Sequence, residues 1–313
     1  MSLKDIILEN PLVLAEGPVI ERIKHEFKYK LNPFIQNASM VYDVKGRNIL
    51  KKIYSQYMSI AYKYEIPILN LTPTWRTNPE RIELAEYKDK DVNVDCFNFL
   101  DQIRRHFSLK GATSLIGGLM GCKGDAYNPK EALSSEEAYH FHQVQVKELN
   151  SAGVDFLLAS TLPAFSEALG IAKAMAESGC EYIISFVIRP DGTILDGTSL
   201  YKAISTIDNS VAPKPILYMV NCVHPTTCLS AINTEPNNTE LVQTRLKGLQ
   251  GNGSTKSPEE LNIINKALSE NPKTWAKKMI KLFLTFKMQI LGGCCGTNHH
   301  HIRCIAKNYK NLV

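Results

Sequence analysis

Short apolar runs recur along the chain at residues 12–15, 66–71, 112–116, 154–159, 182–188, 216–220, 245–249 and 287–291, and longer segments of helical period separate them. Runs of this length alternating with helical segments are the mark of βαβ units and a parallel sheet. Eight of them predict an α/β fold of the (β/α)8 TIM-barrel type rather than an open doubly wound sheet, which more often stops at about five or six strands. The run at 245–249 is the faintest.

The intervening segments carry their own boundary signals. Ser134 and Glu137 fit a capping box ahead of a long amphipathic stretch that ends near Gly153, and Ser257, Pro258, Glu259 and Glu260 place a cap, a first-turn proline and two acids in order. Similar helical stretches follow Val44, Phe165, Ser199 and Thr274. Several strand runs lead into loops rich in Gly, Pro, Thr and Asn: Glu16-Gly17-Pro18, Thr72-Pro73-Thr74, Gly117-Gly118, Asn221-Cys222, Gly251-Asn252-Gly253 and Gly292-Gly293-Cys294-Cys295-Gly296. In a barrel all of these share one rim, where active sites are built.

Composition narrows the picture. With 313 residues, 44% hydrophobic and 21% charged, the chain can pack a large core. Barrels of this type run to roughly 250 residues or more, so residues 1–313 are expected to form a single barrel domain. The net charge of +5 comes from 36 basic against 31 acidic residues. The basic residues are scattered rather than gathered into a stripe, which argues against nucleic acid as a partner. The first residues lack a basic segment followed by an apolar core and cleavage site, and no apolar run approaches the ~20 residues that span a bilayer. The expectation is a cytoplasmic protein with no membrane partner.

Eight cysteines without a secretion signal read as reduced thiols rather than a disulfide framework. Three of them stand out. Cys222 follows the sixth run, while Cys294 and Cys295 follow the eighth, so a barrel brings all three to the same rim. Adjacent residues on a regular strand point to opposite faces, so the vicinal pair can share a metal only where the backbone leaves strand geometry, and Gly292, Gly293 and Gly296 permit that. Three thiolates without an evident fourth protein ligand describe a tetrahedral zinc with one open position, and soft sulfur favours zinc over magnesium or calcium. The open position suits a second thiol, which loses its proton on binding the metal.

The segments Asn221-Cys222-Val223-His224-Pro225 and Gly292-Gly293-Cys294-Cys295-Gly296-Thr297 closely resemble the two zinc motifs of the homocysteine S-methyltransferase family. Weaker matches run through Asp155-Phe156-Leu157-Leu158, Glu167-Ala168, Ser185-Phe186 and Asp196-Gly197-Thr198-Ser199-Leu200. The resemblance implies a zinc-dependent (β/α)8 barrel that passes a methyl group from a small-molecule donor to the sulfur of homocysteine, giving methionine. It also implies Cys222, Cys294 and Cys295 as zinc ligands in the catalytic centre, and Asn221 as a neighbour of the substrate. S-methylmethionine ranks first as donor, then S-adenosylmethionine and betaine.

The chain departs from the family pattern at several places. Glu16-Gly17-Pro18 replaces the usual Asp-Gly after the first strand, which keeps Glu16 as a substrate-binding carboxylate. Ser160 stands where the family has a glutamate after the fourth strand, and family members use such carboxylates to hold the amino group of homocysteine. Trp75 replaces a tyrosine after the second strand, and residues 246–254 match poorly. Another thiol is therefore an alternative acceptor. Two further readings differ in class. In the first, a zinc protein without catalysis, His224, Cys228 or one of His299, His300 and His301 closes the metal site. In the second, Cys294 and Cys295 form a redox pair. Asp125 and Tyr127, in the loop after the third strand, are placed to line the pocket.

Overall fold

A computed structural model describes residues 1–257, 260 and 268–312. Eight parallel strands close into a barrel in chain order: β1 (Val13–Ala15), β2 (Ile68–Leu71), β3 (Ser114–Met120), β4 (Phe156–Leu162), β5 (Tyr182–Phe186), β6 (Leu217–Val223), β7 (Leu246–Gly251) and β8 (Ile290–Gly293). The ring closes where Val13 and Leu14 of β1 pair with Ile290 and Leu291 of β8. Helices alternate with the strands, so the expected (β/α)8 fold is the one observed, including the faint seventh strand.

Two cores result. Inside the barrel Val13, Leu69, Phe156, Ile183, Met219 and Ile290 pack together, and the helix Leu3–Glu9 closes the lower end by burying Leu3 and Ile6 against them. That helix starts with Ser2 and Asp5 in a reciprocal capping box. The larger core lies between barrel and helices, where Tyr54, Leu100, Ile171, Ile204 and Trp275 are buried.

Local signals hold where caps decide them. The helix Ser135–Ala152 is capped by Ser134 and Glu137 and ends at Gly153, whose φ is +92°. Helices also occupy Val44–Tyr64, Phe165–Glu177, Leu200–Ser210 and Pro272–Phe286. Ser257 and Glu260 exchange backbone-to-side-chain hydrogen bonds, while Pro258 and Glu259 lie outside the described residues.

The strand ends differ from expectation. Gly117 and Gly118 lie within β3, Asn221 and Cys222 within β6, Gly251 within β7, and Gly292 and Gly293 within β8. Glycine marks turns in general, but here it makes room: a Cβ on Gly117 would lie 2.5 Å from the Phe156 ring that fills the barrel. Ser160 likewise belongs to β4 instead of following it.

Candidate metal centre and pocket

Two strand ends on either side of β5 are bulged. The register of β4 shifts between Ala159 and Leu162, with Thr161 at φ +65°, and that of β6 shifts between Asn221 and Val223, with Cys222 at φ +57°. Left-handed backbone is costly for a residue with a Cβ and is retained where the surroundings enforce it. The bulges turn consecutive side chains to one side, so Ser160 and Thr161, and likewise Asn221 and Cys222, all line one cavity of about 500 Å3.

The amide of Asn221 joins the two bulges. Its Oδ1 accepts from Thr161 N (3.0 Å) and Ser185 Oγ (2.7 Å), and its Nδ2 donates to Thr161 Oγ1 (2.7 Å) and to Cys222 Sγ (3.2 Å). Every hydrogen-bonding position of the amide is thereby used. Asn252, in the loop after β7, holds the same cysteine from its backbone side, donating from Nδ2 to Cys222 O at 2.9 Å.

Cys294 and Cys295 lie just past β8, in a turn closed by Thr297 N to Cys294 O at 3.1 Å. Gly296, at φ +77°, takes the third turn position, where a left-handed residue is required. A Cβ there would meet Leu268 O at 2.0 Å. Asn298 then caps the helix His299–Lys310. Of the three expected glycines, only Gly296 has positive φ, and the second departure from strand geometry falls on Cys222 itself.

The three sulfurs converge: Cys222 Sγ lies 2.9 Å from Cys294 Sγ, and all three sit within 4.8 Å of one another. Zinc–sulfur bonds of about 2.3 Å in a tetrahedron set sulfurs about 3.8 Å apart, a spacing bracketed by those two values. Hydrogen bonds from Cys294 and Cys295 hold the Cys222 thiol well below its ordinary range, and donation to Cys222 keeps the other two thiols well above it. The cluster thus resembles one thiolate supported by two thiols.

Other residues complete the wall. Tyr127 lines the cavity and hydrogen-bonds Cys222; burial and the neighbouring sulfurs keep its phenol protonated far above the usual range. Its loop is held by Arg76, which donates to Cys122 O and Gly124 O, and by the buried Glu167, which accepts from Lys123 N. Asp125 accepts from Tyr127 N but is itself exposed. Trp75 donates its indole N–H to Ser160 O at 3.3 Å, tying the end of β2 to the end of β4. Glu16 Oε2 accepts from Asn70 Nδ2 and Leu71 N, both at 3.1 Å, and burial pushes the carboxyl up to about 8.

Of the other metal-binding side chains considered from sequence, His224 and His301 are engaged elsewhere, while His300 is exposed and the Nδ1 of His299 is buried without a hydrogen-bond partner. His224 bonds Thr226 through Nδ1 and Glu270 through Nε2, and His301 bonds Asn298 and Glu270 O. Cys228 is fully buried, which pushes its thiol up to about 12. Among the described residues, the group that can hold a metal is Cys222, Cys294 and Cys295. No helix among them is long and apolar enough to cross a membrane. Sequence reasoning missed Glu21, Thr161, Gln250 and the individual role of Asn252; only Asn252 carried a signal, its position between two glycines at a strand end.

Residues 14–309 match the family model described as homocysteine S-methyltransferase. The homocysteine S-methyltransferase YbgG of Bacillus subtilis (strain 168) is 28% identical, with 96% of each chain covered. In fold, the chain is similar to the homocysteine methyltransferase MmuM of Escherichia coli: the metallated form has a TM-score of 0.77 at 17% identity, covering 98% of this chain and 99% of that one. The oxidised form gives 0.77 at 18% identity, covering 98% of each. With the family model matched across almost its whole length, the chain belongs to the homocysteine S-methyltransferase family and is a methyltransferase.

Proposed function

We propose that the protein is a zinc-dependent S-methyltransferase that moves a methyl group from a sulfonium donor, S-methylmethionine or S-adenosylmethionine, to the thiol of homocysteine, giving methionine. In this reading one barrel domain over residues 1–313 does so in the cytoplasm. The observation that carries the proposal is the convergence of three sulfurs from β6 and the turn after β8 in one cavity. Family membership and the likeness to the homocysteine methyltransferases YbgG and MmuM support homocysteine as acceptor, and the metallated form of MmuM supports a metal.

The donor set fits zinc. Three soft sulfurs at this spacing suit it better than a hard cation, and three protein ligands leave a position for substrate. Cys222, Cys294 and Cys295 would hold the ion, and a zinc bound there would supply Lewis acidity that favours the deprotonated form of an acceptor thiol at neutral pH. Asn221 and Asn252 fix Cys222 through its sulfur and its carbonyl, so the metal-binding face does not have to be organised when substrate arrives. Glu16 and Ser160 line the cavity where the two substrates would lie, and its volume of about 500 Å3 is in the usual range for small-molecule sites.

The transfer itself asks little proton chemistry of the protein. A new sulfur–methyl bond forms as the sulfonium–methyl bond breaks, and the donor leaves as a neutral thioether. No acid is needed to assist its departure, so the chain's task is alignment. The test is a methyl-transfer assay on zinc-loaded protein with several thiols against the three donors. Turnover of homocysteine with a sulfonium donor is expected; full zinc occupancy without turnover of any pair would contradict the proposal. One observation favours a different thiol as acceptor: Ser160 is neutral, and among the described residues its hydroxyl has Thr161 Oγ1, at 3.5 Å, as its one hydrogen-bond partner. Activity with other thiols in the same panel would select that reading.

A further inference from the structure

A thiol substrate that is also an amino acid brings an ammonium group into the pocket, and the wall at Ser160 offers it no charge. The carboxyl of Glu16 is buried, with Oε2 already accepting two hydrogen bonds, and burial pushes it up to about 8. One other carboxyl group lines the cavity among the described residues, that of Glu21; burial raises it as well, and the hydrogen bond from Gly296 N acts in the opposite direction.

The position of Glu21 is unusual for its place in a helix. It lies in the first turn of Val19–Glu26, where a glutamate commonly folds back onto the N–H of the capping residue. Here that residue is Pro18, which has no N–H. The carboxylate reaches across instead, and Oε2 accepts from Gly296 N at 2.5 Å, in the turn that carries Cys294 and Cys295. A second acceptor lies beside the same turn. Asn252 is 2% exposed and lines the cavity; its Oδ1 is buried without a hydrogen-bond partner, and the next residue, Gly253, donates its N–H to Cys295 O at 2.8 Å. A buried acceptor without a donor is costly, and a ligand N–H would relieve it.

We infer that Glu21 and the Oδ1 of Asn252 form an ammonium-binding corner beside Cys295 that takes the α-amino group of the thiol acceptor. This rests on the proposed thiol methylation. It assigns amino-acid recognition to the turn after β8, separate in sequence from the neutral wall at Ser160. Lys24, exposed on the same helix and lining the same cavity, offers a positive group to the carboxylate end of such a substrate.

The experiment compares zinc-loaded wild type and Glu21→Gln with two acceptors, homocysteine and 4-mercaptobutyrate, which lacks the amino group. Glutamine can still accept from Gly296 N but carries no charge, so a purely structural role would leave selectivity unmoved. The expected result is a fall of about tenfold or more in the ratio of kcat/KM for homocysteine over 4-mercaptobutyrate, as for loss of a charge-assisted hydrogen bond. The double variant E21Q/S160E, which restores a carboxylate on the facing wall, is expected to recover part of the ratio. An unchanged ratio in E21Q overturns the inference. If wild type methylates neither thiol, thiol methylation itself is what fails, and calorimetric binding decides the corner: homocysteine affinity reduced about tenfold in E21Q supports it, and equal affinity overturns it.

Discussion

The amide nitrogen of Asn221 donates to the sulfur of Cys222 at 3.2 Å, so the residue beside the bulged cysteine orients one of the three converging sulfurs with a side chain that has no hydrogen-bonding capacity left for substrate. Asn221→Ala is expected to weaken zinc binding by about 10- to 100-fold, the usual cost of removing a partner of a metal ligand. Competition with a chromophoric chelator measures it, with circular dichroism verifying that the barrel persists.

Glu16 makes stability depend on pH. The unfolded chain releases this proton near 4.5 and the folded chain holds it to about 8, so the folded state carries more protons across that window and loses stability as pH rises through it. Glu16→Gln cannot titrate. Relative to wild type it is expected to be near neutral at acid pH and more stable by on the order of 1–4 kcal/mol at alkaline pH. Urea unfolding of both proteins across the pH series reads the difference.

Gly296→Ala tests the turn that presents the vicinal pair. At φ +77°, with a carbonyl 2.0 Å from the new Cβ, alanine forces the turn to open. A loss of about 1–3 kcal/mol is expected. Because Cys295 is the adjacent residue, zinc content by elemental analysis should fall with it.

The pair His142–Glu167 is fully buried, Nε2 to Oε1 at 2.9 Å, and Glu167 also anchors Lys123 N in the loop that brings Tyr127 to the cavity. Removing one partner leaves a buried hydrogen-bonding group unpaired, so Glu167→Ala is expected to cost about 1–3 kcal/mol. Chemical denaturation measures this, and quenching of Tyr127 by a soluble agent should rise as its loop loosens.

How much of this was legible in the sequence divides along a physical line. Strands, caps and the convergence of Cys222 with Cys294 and Cys295 follow from local pattern plus the rule that all strand ends of a barrel share a rim. The strand ends did not follow, because Gly117 and Gly292 read as turn formers while their actual role is to admit Phe156 and Ala15 at close range. The bulges at Thr161 and Cys222 were illegible for a related reason: neither residue favours left-handed backbone, and only the network around Asn221 enforces it. Glu21 was invisible as a pocket residue because its helical position predicts capping, and the absence of an N–H on Pro18 matters only once Gly296 is known to lie opposite.

A three-thiolate zinc with a position open to a substrate sulfur has a distinct signature in X-ray absorption at the zinc edge, measured with and without homocysteine. Three sulfur neighbours and one light atom are expected in the free protein, changing to four sulfurs when homocysteine is added. A four-ligand shell that stays unchanged on addition of homocysteine would contradict it.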